Sequence, residues 1–373
     1  MKTDHEISVK PIAKKSRLVF LDNLKVALIL LVVAHHAGQA YGPENDWPIL
    51  SIAKSAILGP FFDVNGAFFM GLFFLISAYF LPPSIDRKGV GTFLKSRLLR
   101  LGVPFIVIVI IIFGPITYFV DGIDMPFWTY MILFYIGQGD FEVGHLWFIA
   151  LLLFFFVCYA IVRLIASTPI IKGKVITTPP GYISLVIFSI ALIIANYIIR
   201  IWFPVGEWVK ILPFMPVEVG RCPQYVGFFI VGVFAYRYNW LNTFSTKTGL
   251  VWLAIGILAG AMHYIDSLIG LFPLSLDFWT VLEGFIGVGL VTGSLVISRE
   301  YWNKRGKLMT FMADNAFTVY LIHIFIIYLL QGIMEAISMG PFNKFMVVSI
   351  MGIILSFVLS HFIRKIPFAK KFL

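Results

Sequence analysis

Three ionisable side chains interrupt an otherwise apolar run, "NLKVALILLVVAHHAGQAY" (residues 23–41). Lys25 and His36 stand eleven positions apart. On a helix that is about 1100°, which leaves them within about 20° of one face and about 16 Å apart along the axis. His35 points about 100° away from that stripe. Asp22, three positions before Lys25, is placed to pair with it. A lysine near a helix end can snorkel to the membrane surface, and histidines can hydrogen-bond between helices. An imidazole well inside a span is costly, however, and such groups usually line a pathway or site. Neutral imidazole also suits the abstraction of a hydroxyl proton near pH 7. His36 therefore reads as functional and His35 as structural.

A second group is Arg97 and Arg100 in "FLKSRLLRLGVP". Spaced i, i+3, they face one way on a helix. Guanidinium forks fit phosphate oxygens, although plain basic anchoring at a membrane edge gives the same spacing. Glu142 and His145 form a Glu-x-x-His at the expected start of a helix. With no second matched pair, a metal half-site stands beside acceptor-binding and purely structural readings. His323, expected mid-span after Tyr320, either lines the same cavity or is a satisfied bundle histidine. His263 with Asp266 reads as interfacial, and His5 and His361 give no functional signal. Cys158 within a helix and Cys222 near a loop are not placed for a disulfide.

What must position these residues is a membrane bundle. The chain has 373 residues, 60% of them hydrophobic and 17% aromatic, with a mean hydropathy of +0.92. Apolar runs long enough to cross about 30 Å of hydrocarbon recur throughout. They predict helices over 24–41, 66–82, 101–120, 145–164, 180–200, 223–240, 248–266, 279–297, 315–333 and 345–364. The expected class is an all-α integral membrane protein, a polytopic bundle of about ten helices with both termini cytoplasmic. A cytoplasmic arm (1–20), one transmembrane domain (21–366) and a short cytoplasmic tail (367–373) complete the division. The first run follows a hydrophilic arm without a cleavage signature, so it is expected to stay as an anchor. With that orientation, inner segments collect 24 of the 29 Lys and Arg residues, as the positive-inside rule requires. Only Lys54, Arg200, Lys210, Arg221 and Lys344 fall outside. The net charge of +10 is thus a topology signal, and no nucleic-acid partner is expected.

The ordered motifs resemble the membrane-bound acyltransferase 3 family. Its members carry Lys or Arg, ten residues, then His in the first helix, matched by Lys25 and His36. Its Arg-x-x-Arg after the second helix is matched by Arg97 and Arg100. "GHLWFIALLLFF", "QYVGFFIVGVFAYRYNWL" and "AFTVYLIHIFIIY" are similar to segments around its fourth, sixth and late helices. One departure is Ala78 in "LISAYF", where many members have glycine.

The resemblance implies transfer of an acyl group, commonly acetyl or succinyl, from cytoplasmic acyl-coenzyme A to a hydroxyl. The acceptor would be a carbohydrate or glycolipid of a prokaryotic cell envelope. Coenzyme A phosphates would dock on Arg97, Arg100 and Lys25, and His36 would serve as general base or transient acyl carrier. No metal is expected. Many members carry an added extracytoplasmic domain, so this chain would act alone or with a separate extracytoplasmic transferase. The competing reading is a proton-coupled transporter or glycan flippase with His36 and His323 as relay groups, and no half-to-half correspondence supports it.

Overall fold

No water reaches the hydrocarbon to satisfy backbone N–H and C=O groups, so each apolar run must close its hydrogen bonds internally as helix. The computed structural model describes residues 18–44, 46–165, 178–271 and 276–373. Residues 1–17 of the expected arm, with His5, and Lys172 and Lys174 lie outside the described residues. The helices are α1 Val19–Gln39, α2 Leu58–Lys88, α3 Val90–Val120, α4 Gly144–Ile165 and α5 Tyr182–Arg200. Then come α6 Cys222–Arg237, α7 Thr246–Ile269, α8 Leu276–Tyr301, α9 Lys307–Glu335 and α10 Pro341–Ile363. Among the described residues nine helices are long and apolar enough to cross a membrane. The remaining one, α6, has 16 residues. The protein is a polytopic helical membrane protein.

Three features depart from expectation. The basic loop expected between the second and third helices is itself helical: Leu81–Lys88 extends α2, and Val90–Arg97 opens α3. Pro82 and Pro83 sit in the first turn of Leu81–Lys88, where a missing N–H costs no hydrogen bond. The reversal is confined to Gly89, whose φ of 74° suits glycine. The third helix is also not a regular α-helix, since π-helical turns occupy Leu98–Gly102 and Val109–Phe113. Finally, a hairpin joins α5 to α6, with β1 Trp208–Leu212 antiparallel to β2 Met215–Glu218 and Trp208 opposite Glu218.

Helix α1 packs against α9, α10, α8 and α2. By contrast α5 faces outward along Ile183, Ile187, Ile190 and Ile194, the i, i+3/i+4 stripe of a lipid-facing surface. Helix α7 runs along α8 through small residues, the packing that lipid favours. A Cβ on Gly289 would meet backbone, lying 2.7 Å from Gly256 Cα. Since backbone cannot rotate aside, Gly289→Val is expected to cost about 1–3 kcal/mol or more. Thermal unfolding in detergent reads this directly, and an unchanged midpoint would refute the tight α7–α8 contact.

Candidate active site

At one end of α1, Lys25 Nζ pairs with Asp22 Oδ1 at 2.8 Å and lies 5.6 Å from the Phe80 ring centre. The Asn23 amide fixes this end by donating to the carbonyls of Trp302 (2.5 Å) and Lys304 (3.0 Å), between α8 and α9. Arg97 immediately precedes the π-helical turn Leu98–Gly102 of α3, Arg100 lies within it, and both line the same cavity as Lys25. Such turns recur at functional sites. Arg97 stacks over Phe93 and Phe156, at 5.4 and 5.7 Å.

Neighbouring arginines are used differently. Asp86 binds Arg237 through contacts of 2.6 and 3.1 Å, and Arg163 at 2.9 Å. These ion pairs tie α2 to α6 and α4. Among the described residues neither Arg97 nor Arg100 has a carboxylate partner. Two cavity-lining guanidiniums left without counter-charge have the chemistry to receive an anion.

At the other end of α1 the imidazoles gather. The helix runs from Val19 to Gln39, starting five residues and ending two residues earlier than expected, so His36 falls in its last turn rather than well inside the span. Its Nδ1 lies 2.8 Å from Gln39 Oε1. An amide oxygen only accepts, so this contact places the proton on Nδ1 and leaves the Nε2 lone pair bare. Trp47 stacks on the ring at 5.5 Å and 14° and donates Nε1–H to Gln331 Oε1 at 2.8 Å. Gln331 in turn donates to the carbonyls of His36 and Ala37, each at 3.2 Å. Trp47, Gln331 and Gln39, none of them singled out in the sequence, therefore hold the ring and the end of α1.

His323 lies 5.3 Å from His36 and 4.8 Å from His145. It is fully enclosed, and its Nδ1–H donates to the Tyr320 carbonyl at 2.8 Å. Tyr320 OH donates to the His145 carbonyl at 2.6 Å. Three helices thus deliver three imidazoles to one point. His35 also lines the cavity, packed against Phe62 and Phe69 at 5.1 Å each.

Glu142 and His145 do not share a helical face. The chain turns helical only at Gly144, so exposed Glu142 accepts from the Gly144 N–H at 2.7 Å while His145 turns inward. Among the described residues no group of three His, Cys, Asp or Glu is arranged to hold a metal ion. His263 reaches across to another helix: its Nε2 lies 2.8 Å from Asp63 Oδ2, and its ring lies 4.1 Å from that of Trp279. Cys158 and Cys222 are free thiols.

A buried charge cluster went unrecognised in the sequence. Glu283, 1% exposed, binds Arg200 at 2.5 Å and Arg221 at 2.6 Å. Arg221 Nε also pairs with Glu218 at 3.0 Å. Burial opposes the charge on Arg221, but Glu218 and Glu283 outweigh it and raise its pKa. Its signal was present among the basic residues that break the positive-inside pattern. Arg200 and Arg221 hold Glu283, Lys210 holds Asp140 at 2.9 Å, and Lys344 holds Glu335 at 3.4 Å.

One cavity of about 1900 Å³ joins these groups. Lys25, Arg97 and Arg100 line one end, His35, His36 and His145 follow, and Trp208, Glu218 and Arg221 line the other. The acyltransferase 3 family model, described as an acyltransferase domain, matches residues 18–361. Glucans biosynthesis protein C of Salmonella schwarzengrund (strain CVM19633) is 26% identical over 336 residues, covering 82% of this chain and 81% of that protein. The protein of that name from Salmonella paratyphi B is 25% identical over 336 residues, with the same coverage. That of Escherichia coli O17:K52:H18 is 24% identical over 319 residues, again covering 82% and 81%. No solved structure matches. With the family's model spanning nearly the whole described helical bundle and its cavity, the chain belongs to the acyltransferase 3 family and is a multi-pass membrane acyltransferase.

Proposed function

We propose that this enzyme moves an acyl group, acetyl or succinyl, from acyl-coenzyme A to a hydroxyl of a cell-envelope or exported carbohydrate. The observation that carries this is the single cavity leading from unpaired Arg97 and Arg100 to the bare Nε2 of His36. The names of the relatives support a glucan-like acceptor. The concentration of Lys and Arg on one side supports a cell-membrane location with the arginine end and both chain termini facing the cytoplasm.

Coenzyme A phosphates dock on Arg97, Arg100 and Lys25, and the pantetheine arm extends along the cavity. The rise of about 16 Å between Lys25 and His36 is comparable to such an arm. His36 Nε2 then takes the proton of the acceptor hydroxyl as its oxygen attacks the thioester carbonyl. The carbon–sulfur bond breaks, and the departing thiolate receives the proton from His36. The Nδ1–H bond to Gln39 steadies the imidazolium between these steps, and Trp47 fixes the ring plane. Acyl transfer through His36 itself is the variant route.

Replacing Arg97 by lysine retains the charge but removes the planar fork. A charge-assisted hydrogen bond contributes about 1.5–3 kcal/mol, so the KM for acyl-coenzyme A is expected to rise about tenfold or more. An unchanged KM in Arg97→Lys would refute the phosphate role.

A further inference from the structure

The two ends of the cavity differ in charge. Opposite the arginine end, the lining carries Glu44, Asp46, Asp63, Glu142 and Glu218 against Lys210 and Arg221. Burial and then repulsion from Asp63 push the Glu44 carboxyl up from its ordinary value, as expected where acids crowd together. A second observation points to a ligand. Arg221 is 7% exposed, and its Nε and Nη1 are clamped by Glu218 and Glu283. Its Nη2 makes no hydrogen bond among the described residues, although the side chain lines the cavity. A Cβ on Gly66 would lie 2.9–3.1 Å from this guanidinium, so the glycine leaves it room. Beside it the β1–β2 hairpin holds Trp208, 44% exposed, edge-on to Trp147 with ring centres 5.3 Å apart.

We propose that this end is a subsite for a saccharide without negative charge, stacked on Trp208 and hydrogen-bonded by Arg221 Nη2. The inference rests on the carbohydrate-acyltransferase reading and deepens it. Carboxylates accept from sugar hydroxyls, an indole covers the apolar face of a pyranose, and a fixed guanidinium supplies the donor. The same carboxylates repel uronates and phosphates. Clamping by two glutamates neutralises Arg221, so it offers direction rather than surplus charge for an anion.

The test uses the full chain in micelles and reads sugar binding by saturation-transfer NMR, separately from acyl transfer. The probes are an uncharged oligoglucoside and an oligosaccharide of equal length bearing uronate groups. Binding of the uncharged probe at least about tenfold tighter is expected, with loss in Trp208→Ala and weakening in Arg221→Lys. Trp208 is a partly exposed hairpin residue, so its variant tests the site even if Arg221→Lys misfolds. Glu44→Gln combined with Asp46→Asn should narrow the preference. Lower pH should do so as well, because Glu44, facing Asp63, Arg221, Glu218 and Asp46, loses its charge as pH falls through its raised pKa. Equal binding of both probes, or unchanged binding in Trp208→Ala, overturns the subsite. Absent transfer alongside selective binding would refute the acyltransferase reading of the acceptor and leave the subsite standing.

Discussion

His36→Ala is expected to lower acyl transfer about 10²–10⁴-fold, the usual contribution of a positioned general base, without weakening donor binding. The separation follows from geometry. The arginine end of the cavity, the proposed phosphate site, is formed by α3 and the start of α1, whereas His36 occupies the last turn of α1. Substituting it removes an imidazole stacked on Trp47 and bonded to Gln39. The backbone bonds from Gln331 to the His36 and Ala37 carbonyls remain, so α1 should still end in place. Steady-state kinetics with labelled acyl-coenzyme A and a saccharide would show a fall in kcat at constant donor KM. Near-normal kcat in a well-folded variant would refute the role of His36.

Glu283→Ala should produce the largest stability loss. The carboxylate is 1% exposed and bonded to both Arg200 and Arg221. Removing one partner of a buried ion pair costs about 3–5 kcal/mol, because the remaining charge is stranded. Arg221 keeps Glu218, so Arg200 bears most of that cost. Arg200→Met in the same chain should therefore recover part of the loss, a coupling visible in a double-mutant cycle of thermal unfolding. Strict additivity of the two substitutions would show that the cluster does not act as a unit.

How much of this was legible in the sequence depended on whether the signal was local. Span positions and the shared face of Lys25 and His36 follow from hydropathy and helical period, properties of consecutive residues. The Asp22–Lys25 pair at 2.8 Å likewise follows from i, i+3 spacing. Helicity through Pro82 and Pro83 is not legible in the sequence, because proline breaks a helix interior but fits a first turn, and chain connectivity decides which applies. The β1–β2 hairpin was too short to register against neighbouring apolar helices. Trp47–Gln331 and Arg221–Glu283 join residues 284 and 62 positions apart, and no local pattern encodes such pairs. The sequence leaves His323 open between two readings, because its place against His36 and His145 depends on the meeting of α1, α4 and α9.

The most direct measurement places donor and acceptor on opposite sides of the protein. In proteoliposomes holding an oligoglucoside inside and labelled acyl-coenzyme A outside, molecules with the arginine end outward should esterify the enclosed sugar. That ester should be absent in vesicles containing the His36→Ala protein. Ester formation only when donor and acceptor share one compartment would contradict a cavity that brings the two substrates to His36 from opposite ends.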